Sequence, residues 1–269
     1  MKKLITILLV ANALFTNAQE PYFTEIKLNP EFVDLRIQDL YQDNNSMVWV
    51  GTQRGLIRHN GIKDRIYKGS DGADISITAI FRDKQDVVWC GSEDGVLYIL
   101  QSEKQFDHLY FKKRLGNKIN NILQDKHGNI WIATYGSGLY CFVDGNVRSI
   151  NTKGGLASDE IYDIAIINDN KIALATDRGL NIVSKVGETY SVDFYNERNG
   201  FTDDILTDVL GNGGDTLFIG TNTGEVLLFD LSLKKASTIA SPGSNINRIQ
   251  RTIQDEIFIA TDNGIFVHD

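Results

Sequence analysis

The chain has 269 residues, 42% of them apolar and 10% aromatic. That apolar content excludes a disordered polymer and is enough for a full-sized core. A formal net charge of −8 excludes a general nucleic-acid binder and a partner for anionic membranes.

Met1–Ala18 reads as a secretory signal peptide. Lys2-Lys3 supplies the positive end, Leu4–Leu14 the apolar run, and small residues precede a cut at Ala18-Gln19. The run is short for a bilayer span, and an uncleaved N-terminal anchor is the alternative. Cleavage leaves residues 19–269 as a more acidic product for the periplasm or the cell exterior. After residue 18 no apolar stretch approaches the roughly 18 residues of a membrane helix. The mature chain opens on an isolated strand, Tyr22–Leu28.

From there the chain repeats. A Gly/Ala-Thr/Ser pair recurs at Gly51-Thr52, Gly91-Ser92, Ala133-Thr134, Ala175-Thr176, Gly220-Thr221 and Ala260-Thr261, spaced by 40, 42, 42, 45 and 40 residues. Each pair ends an apolar strand (MVWV, VVWC, NIWI, KIAL, TLFI, EIFI), and a glycine and another strand follow. Upstream of each lies a strand with a polar–apolar beat, joined to it in five of the six by an Asp/Asn/Gly-rich turn and in the last by a tighter one with only Asp255. A weaker fourth strand follows most repeats. Four short strands per period of about 42, with no helical periodicity, define a propeller blade. The sixth repeat stops after its third strand, and Tyr22–Leu28 is expected to complete it. The expectation is an all-β propeller of six four-stranded blades closed by that N-terminal strand. An incomplete seven-bladed propeller is the alternative.

Gly128-Asn129-Ile130-Trp131-Ile132-Ala133-Thr134, followed by Gly138-Leu139, is similar to the core of the two-component-regulator propeller repeat. Gly155–Ile164 and Gly200–Ile205 resemble its blade-opening motif. The resemblance covers the mature chain and is weaker in the last three repeats, where Ala173, Phe218 and Phe258 replace the tryptophan of Trp49, Trp89 and Trp131. It implies the periplasmic sensor region of hybrid two-component proteins of Bacteroidetes type, whose ligands are often polysaccharide fragments. Such sensors carry further blades, a three-tyrosine domain, a membrane helix and an output domain, none of which is encoded in these 269 residues.

Two sets of positions are candidates for binding. The turns after the Thr/Ser pairs present Arg54, Glu93, Asp94, Tyr135, Asp177, Arg178, Asn222, Asp262 and Asn263 on the face where ligands of propellers usually sit. Mixed charge with one aromatic suits a polar small molecule or oligosaccharide. The polar residues that open each blade, among them Asp34, Arg36, Asp74, Asn120, Asp159, Glu160, Asp203, Asp204 and Asn247, converge on the same face. The first strands place Asp39, Asn121, Asp163, Asp208 and Arg248 at matching register, with Ala79 in the second repeat, as channel-lining residues.

No catalytic constellation emerges. His59, His108, His127 and His268 lack metal-ligand spacing, so no metal or cofactor is expected. Ser137 lies in a hairpin rather than a nucleophile elbow. The expectation is a non-enzymatic sensor propeller. A secreted protein-interaction scaffold and a propeller lyase or glycan hydrolase are the alternatives, and a downstream receptor domain or protein partner is implied. Cys90 and Cys141 replace Val, Ile or Leu of sister strands and read as small buried hydrophobes, with a disulfide between repeats as the alternative. The repeated Thr/Ser hydroxyl is expected to bond the turn backbone, the Gly/Ala before it to let blades approach, and the tryptophans to fill the core between them.

Overall fold

A computed structural model of the chain describes residues 28–29, 32, 35–43, 45–100, 108–143, 145–187, 189–212, 214–252 and 255–268. The segment expected as a signal peptide (residues 1–18), Asp34 and the strand expected at Tyr22–Leu28, apart from Leu28 itself, lie outside the described residues. All described strands fall within residues 34–269.

The fold is an all-β propeller. Among the described residues, however, the hydrogen-bonded sheets number five rather than the six separate four-stranded blades expected. Two repeats share one eight-stranded sheet. The first comprises β1 (Ile37–Gln42), β2 (Val48–Thr52), β3 (Gly55–His59) and β4 (Asp64–Gly69). The second comprises β5 (Ile77–Arg82), β6 (Val88–Ser92), β7 (Val96–Leu100) and β8 (His108–Arg114). The outermost strands fuse them by a short parallel pairing, Lys68 to His108 and Gly69 to Leu109. Three four-stranded sheets follow. They are β9 (Ile119–Gln124) to β12 (Asn146–Ile150), β13 (Ile161–Asn168) to β16 (Thr189–Tyr195), and β17 (Leu206–Gly211) to β20 (Lys235–Ala240). The last sheet has three described strands, β21 (Ile246–Arg251), β22 (Ile257–Thr261) and β23 (Gly264–His268).

Alternation decides what each strand buries. Asp39, Gly51 and Leu56 share one face of the first repeat and look toward the second, while Leu40, Val50 and Ile57 look the other way. The apolar core accordingly divides into five clusters, each between consecutive repeats. The small residue of the repeated pair sets their spacing. A Cβ on Gly91 would lie 2.4 Å from Ile119 Cγ2, and one on Gly220 would lie 2.5 Å from Ile246 Cγ2. The following hydroxyl closes the turn as expected. Thr52, Thr134, Thr176 and Thr261 donate to the carbonyls of Gly55, Gly138, Gly179 and Gly264, and Ser92 and Thr221 to those of Val96 and Glu225.

In the first three repeats a carboxylate in the turn after the first strand performs two tasks. Asp43, Asp83 and Asp125 each accept backbone N–H groups two and four residues on. Their second oxygens accept the indole N–H of Trp49, Trp89 and Trp131 at 3.1, 2.7 and 3.0 Å. A buried indole with a satisfied donor adds packing area without a desolvation cost. Trp49 and Trp131 are buried and Trp89 is half-buried. Burial alone would raise the Asp125 carboxyl, but Trp131, Asn129 and the backbone donors outweigh it and hold it below its ordinary value. Cys90 and Cys141 are unpaired and buried. Burial pushes the Cys141 thiol up to about 12, so both act as apolar filling.

Candidate functional site

Each first strand slips register against its neighbour near its start. The slips skip Gln38, Thr78, Asn120, Tyr162, Thr207 and Asn247. A bulge re-aims the side chain it carries. Here all six turn into a single cavity of about 540 Å³, walled also by Lys118, Arg248 and Gln250. The next residue in each strand forms a deeper ring of Asp39, Ala79, Asn121, Asp163, Asp208 and Arg248. Asp39, Asp163 and Arg248 also line a second cavity, of about 760 Å³, so this ring is the waist between two funnels.

Most polar groups of both rings are engaged in tying one repeat to the next. In the outer ring Thr78 and Thr207 donate to the carbonyls of Ile119 and Ile246 at 2.6 and 2.5 Å. Asn120 donates to Ile161 at 2.8 Å, and Gln38 to the Ser76 hydroxyl at 3.0 Å. In the waist Asp39 accepts the Ile80 N–H at 2.7 Å, Asp163 that of Val209 at 3.2 Å and Asp208 that of Ile249 at 2.8 Å. Asn121 donates to Asp163. Arg248 reaches Asp163 at 3.3 Å and Asp208 at 3.4 Å. The channel-lining residues read from the sequence are therefore brought together, and they work as ties between blades.

Charge at the waist is poised. Burial first, opposed by the Ile80 N–H and by Arg248, raises the Asp39 carboxyl to about 6. Burial and the neighbouring Asp163 push Asp208 well above its ordinary value. Asp163 first, then Asp208, hold the Arg248 guanidinium charged. Between the ordinary carboxyl value near 3.8 and about 6 the folded chain binds more protons at Asp39 than the unfolded chain does. That contribution to stability is full below pH 4, declines as pH rises to 6 and then levels off. Asp39→Asn is expected to flatten this decline and to stabilise the chain by about 1–2 kcal/mol at pH 7. Urea melts of both proteins at pH 4, 5, 6 and 7 measure it. Equal pH profiles would count against a desolvated Asp39.

Two outer-ring positions depart from the tie pattern. Asn247, in the last sheet, donates to Asp262 at 2.8 Å. Tyr162 instead meets Tyr135 edge-on, with ring centres 5.6 Å apart and planes at 70°. Burial, a hydrogen bond with Tyr135, and the charges of Asp177 and Glu160 push the Tyr162 hydroxyl up to about 12. Tyr135 stands 41% exposed on the turn of β10 (Ile130–Thr134) and β11 (Leu139–Val143), so an aromatic face remains open beside Tyr162 of the cavity wall.

The other turn residues lie at the same end of the sheets, outside the cavity wall. Arg54 pairs with Asp74 at 3.3 Å, Glu93 with Lys118 at 3.9 Å, and Asp94 with Arg114 at 3.1 Å. Asp177 keeps one buried carboxylate oxygen without a hydrogen-bond partner. Arg178, Asn222 and Asn263 are exposed. Asp159 and Asp203, read as blade openings, instead accept hydrogen bonds from Thr152 and Thr223 and order local loops. Sequence reasoning missed Gln38, Thr78, Tyr162, Thr207 and Lys118. The available signal was a polar residue between the apolar anchor and the waist residue in all six first strands (Ile-Gln-Asp, Ile-Thr-Ala, Ile-Asn-Asn, Ile-Tyr-Asp, Leu-Thr-Asp, Ile-Asn-Arg). Among the described residues no group of three or more His, Cys, Asp or Glu is arranged to hold a metal ion, and no helix is long and apolar enough to cross a membrane.

The family described as two component regulator propeller matches residues 114–136, the stretch that runs from the end of β8 through β9 and β10 to Gly136. That stretch matches the two-component regulator propeller repeat. Its fold matches the extracellular domain of a putative hybrid two-component system from B. thetaiotaomicron at 20% identity and TM-score 0.74, over 85% of this chain and 33% of that one. The extracellular domain of a putative one-component system from the same bacterium aligns at 18% identity and TM-score 0.75, over 94% and 34%. PorZ, a surface component of the type-IX secretion system of Porphyromonas gingivalis, aligns at 16% identity and TM-score 0.68, over 86% and 38%. The chain thus spans about a third of the length of these neighbours, and the likeness is one of fold. No curated protein matches it.

Proposed function

We propose that the chain is the exported sensor propeller of a two-component regulatory system, acting in the periplasm or outside the cell, and that it binds a polar ligand at the bulge-lined cavity. The carrying observation is the convergence of six bulged side chains on one mouth, beside which Tyr135, packed edge-on against Tyr162 of the next repeat, keeps an exposed aromatic face. Amides, hydroxyls and the Lys118 ammonium supply hydrogen bonds to an uncharged polar molecule, and Tyr135 supplies a stacking face. An oligosaccharide has that chemistry, and the repeat family supports it. The reading is non-enzymatic: incubation with a panel of glycans and lactones is expected to give no turnover, and turnover lost in Asp163→Asn or Asp208→Asn would overturn it.

A thermal-shift screen with oligosaccharides tests the binding. A ligand raises the midpoint by linkage. Tyr135→Ala is expected to weaken binding by about 1 kcal/mol, or roughly fivefold, beyond the stability of about 0.5–1 kcal/mol lost with its contact to Tyr162 in the absence of ligand. Full affinity in Tyr135→Ala would remove the stacking role, and no shift with any glycan would remove the sugar ligand.

A further inference from the structure

Acidic side chains crowd the cavity end of the sheets, and most of them are engaged. Glu93 and Asp94 face Lys118 and Arg114, and Asp74 faces Arg54 and Lys68. Asp203 and Asp262 accept hydrogen bonds from Thr223 and Asn247. Glu160 and Asp177 differ. Both are half-buried, and among the described residues neither carboxylate has a hydrogen bond or an ion pair. One oxygen of Asp177 is shut away from solvent. A buried carboxylate oxygen without a donor is costly, which calls for a group that supplies the missing contact.

Local pairing sets these two acids around the tyrosine pair. Tyr135 and Glu160 form an antiparallel bridge. The Asp159 carbonyl accepts the N–H groups of Gly136 at 2.9 Å and Gly138 at 3.1 Å. The turn that carries Tyr135 is thereby clamped to the segment that leads into Glu160 and Tyr162. Thr176 stands opposite Ile161, so Asp177 emerges beside the start of β13. Asp177 and Glu160 are the carboxylates that bear on the Tyr162 hydroxyl. The neighbouring basic side chains do not answer them. Lys118 faces Glu93 at 3.9 Å, and Arg178, next in the chain to Asp177, is exposed and has no ion pair among the described residues.

We propose that Tyr135, Tyr162, Glu160 and Asp177 form a binding site for a small organic cation, an alkylammonium group seated on the open tyrosine face between the two carboxylates. Three observations select that chemistry. Two acids without partners leave the site negative, and a cation supplies the contact that the buried Asp177 oxygen lacks. The exposed ring of Tyr135 attracts a cation through its quadrupole, most of all where the site is partly desolvated. A divalent metal ion is the poorer occupant, since it takes about six oxygen ligands and no group of three or more His, Cys, Asp or Glu is gathered among the described residues. The site adjoins the sugar cavity through Tyr162 but does not depend on a sugar binding there.

Amide NMR of the chain, titrated with choline in the absence of any sugar, reads the outcome. Choline is expected to bind in the millimolar range and to shift the amides of residues 135–137, 160–162 and 177–178. Its uncharged isostere, with a tert-butyl group in place of the trimethylammonium, is expected to bind about tenfold more weakly. Asp177→Asn and Glu160→Gln are each expected to weaken choline about fivefold while the amide spectrum stays that of the folded chain, and Tyr135→Leu is expected to weaken it as much. Equal binding of choline and its isostere would overturn the proposal. So would shifts centred on other residues, full affinity in both carboxylate variants, or no shift with choline at all. Displacement of choline by an equal concentration of potassium ion would also overturn it, assigning the carboxylates to an inorganic cation. No sugar enters the titration, so its failure and the failure of the sugar screen are separate results.

Discussion

Trp49→Ala is expected to lower the stability of the chain by about 3–5 kcal/mol, the usual cost of truncating a fully buried tryptophan. Trp49 is wholly buried within the cluster that joins the first two repeats, its ring centre 6.1 Å from that of Tyr67. Its removal takes away more than volume. Asp43 loses the indole donor at 3.1 Å while keeping the backbone N–H groups of Asn45 and Met47 and the charge of Arg82. Asp43→Asn separates the two contributions. It leaves the packing intact, weakens the charge-assisted bonds and is expected to cost about 1–2 kcal/mol. Urea denaturation measures both, with an unchanged slope showing that the unfolded state is not altered. A loss below 1 kcal/mol for Trp49→Ala would show that the tryptophan of the repeat does not organise the interface.

The second large effect lies where blades meet. Gly91→Val is expected to destabilise the chain by about 3 kcal/mol, because its Cβ would fall 2.4 Å from Cγ2 and 2.6 Å from Cβ of Ile119. Both atoms belong to a fully buried residue, so a small shift does not relieve the overlap. Ile119→Ala alone is expected to cost about 2–5 kcal/mol by opening a cavity. The double variant should then lose less than the two single losses added, by about 1–2 kcal/mol, because the valine fills the space the isoleucine leaves. Strict additivity in this cycle would show that Gly91 and Ile119 do not form the notch and knob of adjoining repeats.

What was legible in the sequence is what is local. The Gly/Ala-Thr/Ser pair stands next to the strand and turn it serves, so its period of about 42 residues, the strands and the hydroxyl-closed turns could be read without a structure. The blade count could not. It depends on the pairing of Lys68 with His108, 40 residues apart, which turns two blades into one sheet. The site was half legible. Asp39, Asn121, Asp163, Asp208 and Arg248 share a register, and the structure gathers them at the waist. Their partners, the N–H groups of Ile80, Val209 and Ile249, are about a repeat away, and no local pattern announces that those carboxylates are engaged. The bulges were hidden for a related reason. A register slip is a relation between two strands, and strict alternation would send Tyr162 and Thr207 away from the mouth they line. Trp131 and Asp125, six residues apart, were read as core and turn. Their bond becomes visible only when the hairpin folds back.

Hydrogen exchange of the chain with and without a sugar that raises its melting midpoint tests the central claim most directly. If the bulge-lined mouth is the ligand site, protection should concentrate at residues 37–40, 77–80, 118–122, 135–138 and 161–164. The outer strands β12, β16 and β20 should exchange as before. Protection confined to the outer strands, or to β23, with the mouth unchanged would contradict it.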